Sequence, residues 1–289
     1  MSWKTNLFLG AALLGAMAAS AEARDLTVTS WGGNYQDAQR EVYFTPFSKK
    51  TGTKVVDDSW NGGVGAIVWT TLITYDGARL KEGPKSWADF WNTEKFPGKR
   101  GLRRGPKYTL EFALMADGVE PSQVYRTLST DAGVDRAFKK LDKLKSNLVW
   151  WEAGAQPQQL LASGEVAMTS AYNARIAAAN KSDNRNFKIV WPGGVYAVDS
   201  WVVLRDSPNK AAGMDLIAFM SDPVNQKNLP PKVPYGVTNK EATKLVDPAV
   251  LPIMPTEPAN LAAGLELNTE FWVANIERLT ERFNAWVGQ

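Results

Sequence analysis

The sequence predicts an α/β fold, and three observations carry that reading. A β-type run at 26–30, an amphipathic helical run at 35–50 and a second β-type run at 54–57 form a strand–helix–strand opening, the unit from which parallel sheets are built. The same alternation continues to the end of the chain. The length, 289 residues at 44% hydrophobic and 22% charged, suits one large domain or two modest lobes.

Each element follows from local chemistry. In 26–30, apolar Leu26 and Val28 alternate with threonines. The run ends in Trp31-Gly32-Gly33, a large aromatic and two glycines that a packed core does not need but a small-molecule site does. Ala38, Val42, Phe44 and Phe47 give the next run its helical spacing, and Thr51-Gly52 stops it. Asn61-Gly62-Gly63-Val64-Gly65 leads into a strand at 67–75. In "PKSWADFW", Ser86 is an N-cap and Asp89 the N3 acid of a capping box. Helices are expected at 108–116, 123–128, 134–145, 158–162, 173–180 and 210–220, with strands at 148–151 and 166–171. Strands at 187–191 and 195–204 are expected to be broken by Pro192-Gly193-Gly194. An amphipathic helix at 271–287 closes the chain. No internal repeat or low-complexity segment interrupts this order.

Composition excludes several chemistries. The chain has no cysteine and no histidine, which removes Ser-His-Asp and Cys-His catalysis, thiolate or imidazole metal sites and histidine acid–base work. An Fe³⁺ site would need an adjacent tyrosine pair, which is missing. A glycosidase would need paired acids at a cleft. Asp57 and Asp58 are neighbours on a strand and face opposite ways. The net charge of +3 is scattered, so nothing favours nucleic acid. The 12 tryptophans, all but Trp3 beyond residue 23, supply core and rigid pocket walls.

Residues 1–23 read as a secretory signal peptide. Lys4 gives the positive start, 7–19 is apolar, and Ala21-Glu22-Ala23 fits a cleavage site, so export to the periplasm with Arg24 first is expected.

Six stretches in order, "SWGGNYQDAQREVYFTPFSKKTGTKV", "SWADFWNTEKFPGKRGL", "LASGEVAMTSAYNARI", "IVWPGGVYAVDSWVV", "NKAAGMDLIAFMSDPVNQ" and "VPYGVTN", span nearly the whole mature chain. Together they resemble the periplasmic solute-binding proteins of ABC importers, of the spermidine/putrescine-binding type. The resemblance implies a two-lobe periplasmic-binding fold with ligand held between lobes, delivery to a membrane permease, and no catalysis or cofactor. It places lobe 1 at 24–70 and 199–243, lobe 2 at 71–198, and a C-terminal helical segment returning to lobe 2 at 244–289. A monomer is expected.

The resemblance also implies site residues. Trp31 and Gly32 end the first strand at the cleft. Asp199 of "VYAVDSW" matches a family aspartate that binds a ligand amine. Tyr172 of "SAYNAR" stands where a stacking tryptophan is common, and Tyr235 of "VPYGVTN" matches a cleft tyrosine. Glu152, with Gln156 nearby, occupies a loop that faces ligand, and Trp272 lies near a cleft residue of the last helix.

The chain departs from the family twice. Where polyamine binders carry further carboxylates, "GLRRGPKY" is basic, and Arg103 or Arg104 could hold a ligand carboxylate. The leading reading is therefore a polyamine or related small amine, with a γ-aminobutyrate-like amino acid as the alternative. The second departure is the join at Gly62-Gly63-Val64, where relatives carry a further helix, strand and loop, roughly seventy residues in all. A first lobe so shortened is expected to leave apolar faces of Tyr43, Val55 and Val56 open and to weaken binding.

Overall fold

The structure is a computed structural model that describes residues 26–29, 37–58, 64–204 and 207–288. The leader, Trp31, Gly32, Gly33, the join at 61–63 and the side chains of Val56, Asp57 and Asp58 lie outside the described residues.

The chain opens as expected. β1 (Leu26–Thr29) and β2 (Val55–Asp58) pair in parallel, with Leu26 opposite Val55. The connecting helical run widens to a π-type turn over Arg40–Phe44 before the regular α1 (Thr45–Thr51). Pro46 explains the widening: it cannot donate to the carbonyl four residues back, and the Thr45 N–H reaches Arg40 O instead. Gly52, at φ 75°, ends the helix in the left-handed conformation.

The other strands form one mixed sheet of order β5-β4-β6-β3-β7-β8. They are β3 (Val64–Asp76), β4 (Arg100–Arg103), β5 (Leu148–Trp151), β6 (Met168–Tyr172), β7 (Phe187–Trp201) and β8 (Leu265–Glu266). β4 runs parallel to β5 and β6, while β3 runs antiparallel to both β6 and β7. The longest pairing is the β3–β7 ribbon.

Pro192-Gly193-Gly194 does not break β7 into two strands as the sequence suggested. Pairing with β3 continues on both sides, and the tripeptide appears as a register shift opposite Thr71 and Ile73. Gly193 stands at φ 73°, its carbonyl accepts the Trp87 indole N–H at 2.8 Å, and a Cβ there would meet that indole at 2.7 Å.

Helices cover the sheet: α2 (Trp87–Trp91), α3 (Thr109–Ala116), α4 (Val124–Leu128), α5 (Asp131–Asp142), α6 (Gln156–Ser163), α7 (Asn173–Ser182), α8 (Lys210–Ser221) and α9 (Thr269–Gly288). Ser86 caps α2 as read, its Oγ accepting from the Asp89 N–H, but the Asp89 carboxylate reaches one residue past the cap and accepts from the Lys85 N–H instead of the Ser86 N–H. The next long helix starts three residues earlier than expected because Thr130 caps it, accepting from the Gly133 N–H.

Two large apolar cores lie along the ribbon. One joins Ile73 to α2, α3, α4, α5 and α9. The other joins Leu26, Val28, the 38–47 helical run and Ile67 to Leu216, Ile217 and Met220 of α8, with Leu229 and Val233. Tyr43 is therefore not an open face: it is 2% exposed in this second core, whose partners arrive far along the chain. Val55 packs against the same core. Exposed apolar side chains do occur near the far end of the ribbon, at Val64, Val198, Val202 and Leu204, and others are scattered over the surface, with Val273 of α9 the most exposed.

The "FWNTEKFPGKRGL" stretch gains a structural meaning. Arg100 is fully buried and donates to the carbonyls of Phe90, Gly98, Asn92 and Phe96 at 2.6–3.1 Å. Burial pulls its pKa down to about 10. Arg100→Met would leave four carbonyls without their donor, two of them, Phe90 and Phe96, buried. It is expected to lower the free energy of urea unfolding by about 3 kcal/mol or more; a change under about 1 kcal/mol would show that the loop closes without it.

Candidate ligand site

The parallel strands β4, β5 and β6 end side by side. Arg103 is paired with Trp151 at the last position of β4 and β5, and Tyr172 ends β6. This carboxyl edge is where open α/β sheets hold ligands. The ribbon brings in the opposite wall. Thr71 stands opposite Tyr172, Trp69 opposite Ala197, and Ile67 opposite Asp199. Alternate residues of a strand share a face, so Trp69, Thr71, Tyr172 and Asp199 line one side of the sheet.

Contacts close this group. The Trp69 indole N–H donates to Asp199 Oδ1 at 2.8 Å. The Trp69 ring stands edge-on to Tyr172 at 5.2 Å and to Tyr108 at 6.0 Å, and Trp151 stands edge-on to Tyr172 at 5.6 Å. Tyr108 precedes α3 at φ 73°, a left-handed conformation rare for a bulky residue and concentrated at ligand clamps. Thr109 Oγ1 fastens this turn by donating to Arg103 O at 3.0 Å.

Tyr235 joins from the other core. Buried Asn173, the first residue of α7, donates to Pro234 O at 2.8 Å and accepts from the Thr70 N–H at 3.1 Å. Val68 and Gly236 exchange backbone hydrogen bonds at 2.7 and 2.9 Å. The loop carrying Tyr235 is thereby pinned to β3.

The electrostatics mix both signs. Burial raises the Tyr172 phenol's pKa against the pull of the nearby Arg103 and Arg175 guanidiniums. Burial pushes Tyr235 up to about 12, with Arg175 opposing and Asp199 and Tyr172 reinforcing. Burial likewise raises Tyr108, within electrostatic reach of Tyr172, Glu111, Arg103 and Asp199. Tyr172 thus lies within electrostatic reach of both guanidiniums and of Asp199, while Tyr235 shares Arg175 and Asp199 with it and Tyr108 shares Arg103 and Asp199. Arg103 Nε and Thr71 Oγ1 are buried with no hydrogen-bond partner among the described residues, which is costly unless a ligand supplies one.

The sequence-derived candidates divide. Asp199, Tyr172 and Tyr235 come together. Glu152 does not join them: it is exposed and paired with Arg104 at 3.2 Å. Gln156 Oε1 accepts the backbone N–H groups of Glu152 and Ala153, so it holds its own loop. Trp272 is turned into the larger core, 3% exposed, and donates to Glu111 Oε1 at 2.7 Å. Trp69, Tyr108 and Arg175 do not stand out in the sequence. Arg175 lies inside "SAYNARI", and the other two resemble ordinary core aromatics.

Comparisons with known proteins agree with this architecture. The family described as bacterial extracellular solute-binding protein matches residues 4–256. A γ-aminobutyric acid-binding protein from Pseudomonas aeruginosa is 41% identical, the match covering 95% of this chain and 94% of the relative. That alignment runs over 331 positions against 289 residues here, so the relative carries residues with no counterpart in this chain. The spermidine/putrescine-binding periplasmic protein of Escherichia coli is 27% identical over 57% of this chain and 46% of its own length. Among solved structures, an ABC transporter substrate-binding protein from Bradyrhizobium japonicum superposes with a TM-score of 0.82 at 29% identity, covering 91% of this chain and 99% of that one. A structure described as the Atu4243-GABA receptor superposes at 0.79 with 28% identity, over 91% of this chain and 98% of its own. The chain belongs to the bacterial extracellular solute-binding protein family, whose two-lobe α/β members serve as the substrate-binding components of ABC transporters.

Proposed function

We propose that this chain binds a small zwitterionic amino acid of the γ-aminobutyrate type between its two cores and hands it to an ABC permease. The carrying observation is that Arg103 and Arg175 act on the same tyrosine, Tyr172, as Asp199. Arg103 and Arg175 take the ligand carboxylate, where a guanidinium fork is the favoured partner. Asp199 takes the ammonium, with Trp69, Tyr108, Tyr172 and Tyr235 as the aromatic surround. A diamine offers no carboxylate to the guanidiniums and brings a second positive charge beside them, which disfavours polyamines. The names of the Pseudomonas relative and of the Atu4243 receptor support the same ligand class.

Ile67 in one core and Ile73 in the other support a crossing of β3 between lobes, with β7 as the second crossing. Trp31 and Gly32 remain proposed wall residues from the end of β1. Export to the periplasm with loss of residues 1–23 is part of the same proposal.

The test is a thermal-shift and calorimetric comparison on the mature chain. γ-Aminobutyrate at a hundredfold excess over its dissociation constant should stabilise the fold by about 2.7 kcal/mol, and putrescine at equal concentration should not. Stabilisation by putrescine alone would return the site to the polyamine reading.

A further inference from the structure

We propose that Trp69 is the positioning residue of the ammonium subsite: its indole N–H orients the Asp199 carboxylate, and its ring fixes the two tyrosines around the amine. This rests on the amino-acid reading above and goes beyond it, since nothing in the resemblance assigns this position a role.

Four observations carry it. The Trp69 N–H to Asp199 Oδ1 contact, at 2.8 Å, joins the two long strands of the ribbon. A hydrogen bond to a charged carboxylate is among the stronger ones, and here it holds Asp199 Oδ1 toward β3. The same ring touches Tyr108 and Tyr172 edge-on. Trp69 is also a partly buried side chain packed against both large cores. Its backbone neighbours are held, Val68 by Gly236 and Thr70 by Asn173. The indole is therefore a rigid post standing where the two cores meet. A ligand ammonium that binds Asp199 meets a carboxylate already aimed, and the ordering cost falls on the protein before the ligand arrives.

A merely structural tryptophan would stabilise the fold without acting through Asp199, so the test separates the two. Calorimetry with γ-aminobutyrate and with butyrate, which has the carboxylate but no amine, is run on wild type, Trp69→Phe, Asp199→Asn and the double variant. Phenylalanine keeps an aromatic ring and removes the N–H. Trp69→Phe should weaken γ-aminobutyrate about tenfold and leave butyrate within about twofold. In the Asp199→Asn background the same change should cost nothing further, because coupled residues are not additive. An equal cost in both backgrounds, or an equal loss of butyrate, overturns the proposal.

A second measurement needs neither ligand nor Trp69→Phe. The assigned Trp69 indole ¹⁵N–¹H resonance of the ligand-free protein should move on Asp199→Asn; an unmoved resonance overturns the proposal. Wild-type protein that binds no amino acid while this resonance does move would sink the proposed function and leave the positioning role standing.

Discussion

Arg103→Met is expected to weaken γ-aminobutyrate binding about a hundredfold, because it removes the charged fork proposed to hold the ligand carboxylate and the positive charge beside Tyr172. Arg103→Lys should fall between, because an ammonium keeps the charge but cannot pair bidentately. The charge balance of the site sets a second expectation. With Arg103 gone, Asp199 meets less competition, so a simple amine such as butylamine should bind Arg103→Met at least as well as wild type. Arg104→Met supplies the comparison on the adjacent residue: Arg104 is paired with exposed Glu152, and its loss should change affinity less than twofold. Calorimetry decides. If Arg103→Met holds γ-aminobutyrate within threefold of wild type, the carboxylate does not sit on this guanidinium and the orientation proposed for the ligand is wrong.

The elements that declare themselves locally are legible in the sequence. The Ser86 cap, the Gly52 stop and the apolar run that becomes β3 depend on neighbours a few residues away. Pro192-Gly193-Gly194 misleads for the same reason. Locally it is a breaker, but β3 pairs with both flanks and Trp87 anchors the bend, so tertiary pairing overrides the turn signal. The burial of Tyr43 is illegible because its cover, Leu216 to Val233, is remote in sequence. The site follows the same rule. Asp199 and Tyr172 can be named because each lies in a recognisable stretch. Trp69 cannot, since a tryptophan inside an apolar strand looks like core until the β3–β7 register sets it beside Asp199. Arg175 becomes a candidate only once Tyr172 and Tyr235 are found under its influence. The basic "GLRRG" stretch points to a carboxylate, but choosing Arg103 over Arg104 requires knowing which of them ends beside Tyr172.

The folded chain should lose stability as pH rises from about 4.5 through about 7, and Glu111→Gln should abolish that loss. Glu111 lies in the first turn of α3, fully buried, and burial pushes its pKa from 4.5 to about 7. The Trp272 N–H and Tyr125 hydroxyl, at 2.7 and 3.0 Å, and the helix's own N–H groups pull the other way but do not win. Oε2 has no hydrogen-bond partner among the described residues. Lys107 adds a nearby charge, but its own pKa is lowered, chiefly by burial, with Glu111 opposing and Arg103 reinforcing. Tyr125 is raised by burial and by Glu111 and stays neutral. The sign follows from proton counting. Between the unfolded and folded pKa values the native state holds a proton that the unfolded state has released, so stability falls with rising pH until the folded pKa is passed. The contribution is fully present below about 4.5, and a shift of this size corresponds to about 3 kcal/mol across the window. Glutamine keeps the acceptor for Trp272 and Tyr125 and cannot ionise. Its advantage over wild type should therefore be near zero at pH 4 and grow to about 3 kcal/mol by pH 8. The consequence reaches the ligand site, because the turn that holds Glu111 also carries Tyr108 against Trp69. Urea unfolding of both proteins from pH 4 to 8 measures the difference directly, and parallel stability curves would show that Glu111 does not titrate in this range.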